Sequence, residues 1–468
     1  MNKDINLKLY ISKNDYYKLS GNDWPTYENF IIGTRTTDKK VNIELDNLTK
    51  NITARGIKFP IRTATSCQSK WTWSTIYLNK LSTASCHRVT PTQFNLNDFD
   101  NFHNIPKKLQ DRKLMLEGKW PTGGCEYCKN IEDVGGFSDR MHNLEIAGLT
   151  PPELEFDLNA VKVSPRIVEI FAQNTCNLSC TYCNDSLSSK IADENKKFGV
   201  FSKEGVTIPV YDIPEVADEY FQKFLSWLKK NIKTLRRLHL LGGETFLQEK
   251  LITSVLDIIE STPNENLELC IFSNLNVPDK LWNKHITRIK NLQKLGNIKC
   301  FDLTASIDCW GEEAEYARFG LNLDKFEERF AWACEQDDWL RFNINQTVTC
   351  LTMYSMPDLI KKISLYGENK HIGHYFQFYT GPAMFQHPQT FAYSNWAAVF
   401  DRILDAMPKK TVHQLEAVPR MQGLQKQLQA VKETNIQDVK KLHIYLDELD
   451  RRRNTNWRKI YPYLSAYE

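Results

Sequence analysis

Six short apolar runs recur between residues 161 and 389, and amphipathic stretches lie between them. The runs read as strands cover 167–172, 238–241, 267–273, 301–307, 342–349 and 374–379. Between them lie stretches such as 216–228, where Tyr220, Phe221, Phe224 and Leu228 recur at helical spacing. Strands that alternate with helices are joined by right-handed crossovers and so lie parallel. The pattern predicts an α/β fold whose chemistry gathers at the C-terminal ends of the strands.

The first of these runs leads into Cys176, Cys180 and Cys183, a C-x3-C-x2-C sequence. Three thiols on one loop point to a metal, because soft thiolates select zinc, copper or iron–sulfur clusters. A tetrahedral zinc needs a fourth Cys or His, and the next dozen residues supply none. Three ligands suit a four-iron cluster with one iron left open. Buried inert thiols have no reason to keep this spacing.

This motif, placed after a first strand, resembles that of the radical S-adenosylmethionine superfamily. The resemblance implies a partial (β/α)6 TIM-like barrel and a [4Fe–4S] cluster whose open iron chelates S-adenosylmethionine. It also implies reductive cleavage of that cofactor to a 5′-deoxyadenosyl radical, which abstracts a hydrogen atom from a substrate. Further segments fit the same order. Gly242, Gly243 and Glu244 follow the second strand and look like the family's GGE segment, in which glycine backbone approaches the methionine moiety and the acid accepts its ammonium group. The usual proline after the acid is Thr245 here. Ser273 and Asn274 end the third strand where relatives contact ribose or methionine. Ser306 and Asp308 resemble a strand end that binds ribose, and Tyr316 with Arg318 resembles a Tyr-x-Arg segment whose Arg pairs with the carboxylate. Tyr182 stands where the family's backbone lies near the adenine.

A second set of thiols, Cys67, Cys86, Cys125 and Cys128, precedes the barrel region and ends in a C-x2-C pair. Residues 71–78 alternate like a strand, so a hairpin-like element is expected between Cys67 and Cys86. Four thiolates complete either a zinc site or a fully ligated cluster. The arrangement is similar to the SPASM or twitch auxiliary-cluster domains, although those usually follow the barrel. It implies a second [4Fe–4S] cluster, with zinc as the other occupant. His87 is read as lying outside the ligand set. Cys270 is expected in the core. Cys309 and Cys350 fall near strand ends and are candidate hydrogen-atom donors.

The remaining chain sets limits. The 468 residues allow several domains: 1–60 as a mixed or β lead-in, 61–160 as the auxiliary domain, 161–389 as the barrel and 390–468 as a helical extension. The extension holds helical stretches at 412–434, interrupted at Pro419, and at 435–453. Arg451, Arg452 and Arg453 end the latter as either a solvated helix terminus or a site for phosphate or acidic peptide. Trp457, Ile460, Tyr461 and Leu464 are expected to dock back on the core, and residues 185–211 form an insertion that suits a substrate lid. A net charge of +3 is too small to imply nucleic acid or an anionic membrane as partner. No apolar run reaches the length of a membrane span. With twelve cysteines and no apolar leader after Met1, the expected location is the reducing cytoplasm. The expected substrate is a peptide or protein, crosslinked, epimerised or cleaved, with a separate recognition protein and a flavodoxin or ferredoxin as partners. The alternatives are a nucleoside, RNA or small-metabolite substrate, or a non-catalytic iron–sulfur or zinc protein.

Overall fold

The computed structural model describes residues 65, 67–133, 138–140, 160–211, 215–368, 370–408 and 412–467. The expected lead-in at 1–60 lies outside them. The chain divides into two compact units, Met1–Glu169 and Ile170–Glu468.

The first unit contains α1 (Gln68–Thr72), β1 (Trp73–Tyr77), β2 (Ser82–Ala84), β3 (Thr92–Gln93), α2 (Pro106–Leu116) and α3 (Cys125–Asp133). The expected strand at 71–78 is corrected here, because Trp71 and Thr72 close a short helix before β1 begins. That helical turn is fixed by contacts from far along the chain and from within. Lys70 N donates to Cys67 O at 3.0 Å, Thr72 Oγ1 to Gln68 O at 3.0 Å, and the buried Arg112 Nε to Lys70 O at 2.6 Å. The hairpin is present, with Thr75 opposite Ala84 and Tyr77 opposite Ser82.

In the second unit the chain runs through β4 (Ile167–Phe171, straddling the division), β5 (Ser179–Cys180), α4 (Ser189–Phe198), β6 (Phe201–Lys203), β7 (Val206–Ile208), α5 (Asp218–Asn231), β8 (Arg237–Leu241), α6 (Glu249–Ser261) and β9 (Glu268–Ser273). It continues through α7 (Asp279–Lys294), β10 (Cys300–Ser306), α8 (Glu312–Ala317), β11 (Arg318–Phe319), α9 (Leu323–Cys334), β12 (Leu340–Val348), α10 (Met356–Tyr366) and β13 (Ile372–Phe378). Last come α11 (Ala397–Ala406), α12 (Val412–Gln429), α13 (Ile436–Arg453) and the short α14 (Trp457–Ile460) and α15 (Pro462–Ser465).

All six strands expected from the sequence are present, in the sheet order β13-β12-β10-β9-β8-β4. The pairs β8/β9, β9/β10, β10/β12 and β12/β13 are parallel. The order has no reversal, so right-handed crossovers place the connecting helices on one face. Register confirms a two-faced sheet. Leu240, Ile271 and Leu303 fall in one apolar row, with Leu303 opposite Phe342. Helix α6 buries Leu251, Ile252, Val255, Leu256, Ile258 and Ile259, each contributing about 1.5–3 kcal/mol by leaving water.

The other face is polar. Arg237 donates to Asp302 Oδ2 at 2.7 Å and to Cys270 Sγ at 3.2 Å, and Asn343 donates to Asp302 Oδ1 at 2.6 Å. Cys270 is buried as expected, but in a network of paired charges rather than among apolar side chains.

The expected helical extension falls within the second unit. Trp457, Tyr461 and Leu464 are fully buried, and Tyr461 donates to Glu313 O at 3.1 Å. Helix α12 runs through Pro419 and ends at Gln429. Of the three arginines closing α13, Arg451 is exposed, as at a solvated terminus, while Arg452 and Arg453 are buried in ion pairs. Arg451 and Arg452 bond Glu448, Arg452 also reaches Asn195 Oδ1 at 3.0 Å, and Arg453 forks onto Glu194 at 3.0 and 3.1 Å. These contacts hold α4, the helix of the 185–211 insertion, against α13. Among the described residues no helix is long and apolar enough to cross a membrane.

Candidate functional site

Cys176, Cys180 and Cys183 lie on the loop that leaves β4, and all three are half-buried. Several backbone groups of this loop are engaged by other elements. Glu244 N donates to Thr175 O at 2.7 Å, and Ser189 Oγ accepts from Cys176 N at 3.0 Å. The N-cap of α4, Ser188, donates to Leu178 O at 2.7 Å. Residues Ser179 and Cys180 form a two-residue ribbon with β11, Cys180 opposite Arg318. Thr181 O accepts from Tyr445 Oη at 2.6 Å and Gln386 Nε2 at 3.1 Å. Such a loop holds its thiols in place without any ligand bound.

The residues expected at the next strand ends are brought to this loop, and the structure shows what each touches. Gly242 and Gly243 have positive φ, and a Cβ on them would stand 2.5 Å from Gln173 O and 2.2 Å from Thr175 O. What approaches these glycines closely is therefore the chain's own backbone, which needs the missing side chains to pass. Glu244 is buried. Its carboxylate accepts from Ser273 Oγ at 2.9 Å, Asn274 N at 2.6 Å and Phe246 N at 3.1 Å. Three of its roughly four acceptor positions are filled, leaving about one for a ligand cation. Asn274 Nδ2 in turn donates to Asn177 Oδ1 at 2.9 Å, so the third strand end grips the cysteine loop directly.

Asp308 and Arg318, each expected to meet the ligand, bond one another. The Arg318 fork faces Asp308 at 2.8 and 2.9 Å, with both side chains buried. Asp308 also accepts from Tyr182 Oη at 2.7 Å and Thr347 N at 2.9 Å. Four hydrogen bonds thus converge on the Asp308 carboxylate, which also pairs the arginine's charge. Ser306 is half-buried at the end of β10. Cys309 and Cys350 are fully buried, so neither thiol stands on an open surface. Burial raises the pKa of both.

Burial is also the first cause that lifts the loop thiols, Cys180 to about 11 and Cys183 to about 12. Glu244 is pushed up to about 7 by burial, against the pull of the Asn274 and Phe246 amides and the Ser273 hydroxyl. A carboxyl raised in the folded state binds more protons there than in the unfolded chain, between its ordinary value of 4.5 and about 7. Stability therefore falls as pH rises across that window. Thermal unfolding of the ligand-free chain is expected to show the fall, and Glu244→Gln to flatten it. Identical pH profiles for the two proteins would refute the assignment.

In the first unit, Cys67, Cys86, Cys125 and Cys128 line one cavity, together with Lys70, Arg88, Trp120, Gly124 and Arg140. Local chemistry explains the convergence. Cys67 is the N-cap of α1, and Cys86 follows the β1/β2 hairpin. Cys125 and Cys128 sit one turn apart at the start of α3, whose opening is capped by Glu126 accepting from Gly124 N at 2.8 Å. A Cβ on Gly124 would lie 2.2 Å from Arg88 O, so only glycine lets α3 come this close to the Cys86 turn. Burial raises Cys86 to about 12, Cys125 to about 11 and Cys128 to about 12. His87 is half exposed and pairs with Asp139 at 3.3 Å.

All twelve thiols are free. Among the described residues no three Cys, His, Asp or Glu side chains are gathered closely enough to hold one metal ion. The loop residues Asn177, Ser188, Gln386 and Tyr445 escaped the sequence reading. Asn177 lies inside the motif and was within reach of it, but Gln386 and Tyr445 act across 205 and 264 residues with no local pattern.

No protein-family model matches the chain, and no curated protein matches it. Among solved structures, the crystal structure of Streptococcus suis SuiB bound to S-adenosylmethionine matches 71% of this chain and 70% of that one. The identity is 13% and the TM-score 0.34, too slight a likeness to bear on the fold.

Proposed function

We propose that the chain is a radical S-adenosylmethionine enzyme, with a partial (β/α)6 barrel, that acts on a peptide or protein. The observation that supports this most is the clamped cysteine loop at the C-terminal end of β4, onto which residues following β8, β9 and β10 converge. Cys176, Cys180 and Cys183 would hold a [4Fe–4S] cluster and leave one iron open. Bound there with S-adenosylmethionine, it would supply a 5′-deoxyadenosyl radical that abstracts a substrate hydrogen. The protein's part is to orient and shield. The remaining acceptor position of Glu244 suits an ammonium group. The Asp308, Arg318 and Tyr182 contacts hold the loop beside it, and Tyr379 packs near Tyr182 with ring centroids 6.3 Å apart.

Cys67, Cys86, Cys125 and Cys128 would fill every iron of a second cubane, leaving it electron transfer or support as its role. That second site supports a peptide or protein substrate, since auxiliary clusters accompany many members acting on such substrates. Arg451, Arg452 and Arg453 at the barrel mouth would have favoured a nucleoside, RNA or small-metabolite substrate, and Arg452 and Arg453 are bonded to Glu448, Asn195 and Glu194. The test is anaerobic reconstitution followed by dithionite. The full chain is expected to carry about eight irons and to form 5′-deoxyadenosine and methionine from S-adenosylmethionine. A reconstituted protein that neither binds nor cleaves S-adenosylmethionine would overturn the proposal in favour of a non-catalytic metal protein.

A further inference from the structure

Buried charge beside the four-cysteine cavity is out of balance. Lys70 lines the cavity, and its Nζ donates to Asp111 Oδ2 at 2.6 Å, both side chains being almost wholly buried. The other oxygen of Asp111 is taken by Lys107 at 2.6 Å. Next along α2, the buried Lys108 donates to two neutral hydroxyls, Ser74 Oγ and Thr83 Oγ1, each at 2.7 Å. The buried Arg112 donates to the carbonyl oxygens of Lys70, His103 and Val161 and to Asn104 Oδ1. Three buried basic side chains thus adjoin one buried carboxylate, which a fourth, less buried lysine shares.

The cavity's other cations are matched. Arg88 pairs with Asp139 at 2.5 Å, and Arg140 with Glu132. A buried cation without an anion is costly, so the set calls for negative charge close by. The four thiols line the same cavity as Lys70. A four-thiolate iron–sulfur cluster, with a net charge of about −2, supplies what is missing.

We infer that Lys70 is a positioning residue whose fixed charge sets the reduction potential of the group held by Cys67, Cys86, Cys125 and Cys128. The inference rests on the proposed reading of that site as a redox cluster. Reduction adds one electron and one negative charge to the site. A cation in the wall favours the more negative state, so Lys70 holds the potential higher than it would otherwise be.

The experiment uses the full chain with Cys176, Cys180 and Cys183 all replaced by alanine, which leaves only this cluster to observe. Iron and zinc contents are measured first, and then the potential by a dithionite titration followed by EPR. Lys70→Met is expected to shift the one-electron reduction equilibrium at least tenfold toward the oxidised form, a potential lower by 59 mV or more. Lys70→Arg, which keeps the charge, should remain near the parent. Retention of iron by Lys70→Arg with its loss from Lys70→Met supports the same charge requirement. An unchanged potential in Lys70→Met, or loss of iron from both variants, overturns the inference while leaving the cluster reading intact. Stoichiometric zinc with no cluster signal in the parent overturns both.

Discussion

Replacing any one of Cys176, Cys180 or Cys183 by alanine is expected to abolish 5′-deoxyadenosine formation while leaving the chain folded. The loss should be complete because each thiol would be one of only three protein ligands, and a site with two has lost the geometry that leaves one iron open for the cofactor. The fold should survive because the loop is held by other groups. Its anchors are the Ser188, Ser189, Asn177, Glu244 and Tyr445 bonds and the β5/β11 ribbon. Two of the motif sulfurs make hydrogen bonds within the loop, Cys176 Sγ accepting from Leu178 N at 3.5 Å and Cys183 Sγ approaching Asn184 O at 3.7 Å. Both are long, and neither joins the loop to another element. Product chromatography, iron analysis and thermal unfolding check the three parts together. Iron should fall to about half, from about eight to about four, the second site keeping its share. Undiminished cleavage in any single variant would sink the assignment of these cysteines.

The sheet was legible because its strands carry a simple physical signal. Runs such as Leu238–His239–Leu240–Leu241 alternate with amphipathic helices, and each expected strand lies within about two residues of an observed one. Helix α1 was not legible, because what makes 68–72 helical is partly Arg112, some forty residues later, bonding Lys70 O. The candidate site divides in the same way. Order along the chain placed Glu244, Ser273, Asn274, Asp308 and Arg318 near the cysteine loop. It was silent on which of them bond one another. Nothing in the sequence showed that Arg318 bonds Asp308, ten residues away across a loop and a short helix. Arg453 misled for a related reason, since its carboxylate, Glu194, is 259 residues distant.

Asp308 supplies the other large effect. It joins the cysteine loop through Tyr182, the β5/β11 ribbon through Arg318 and the end of β12 through Thr347. Asp308→Ala leaves the buried Arg318 guanidinium facing no carboxylate, and breaking one side of a buried pair costs about 3–5 kcal/mol. Arg318→Ala strands Asp308 similarly, although Tyr182 and the Thr347 amide still partner it. The double variant removes both charges and should be little worse than either single one, because the energy belongs to the pair. The readout is local. Exchange of the Thr347 amide, which bonds Asp308 Oδ1, and of the Thr181 amide, which bonds Ala317 O beside Arg318, should accelerate by about two to three orders of magnitude in each single variant. S-adenosylmethionine affinity adds a second arm. If Arg318 acts by holding the loop, both single variants weaken binding together. If it instead binds the ligand's carboxylate, Asp308→Ala would free the guanidinium and tighten binding while Arg318→Ala weakens it. Opposite signs in the two variants, or additive losses in the double one, would show that the contact holding Arg318 to Asp308 is not what shapes the site.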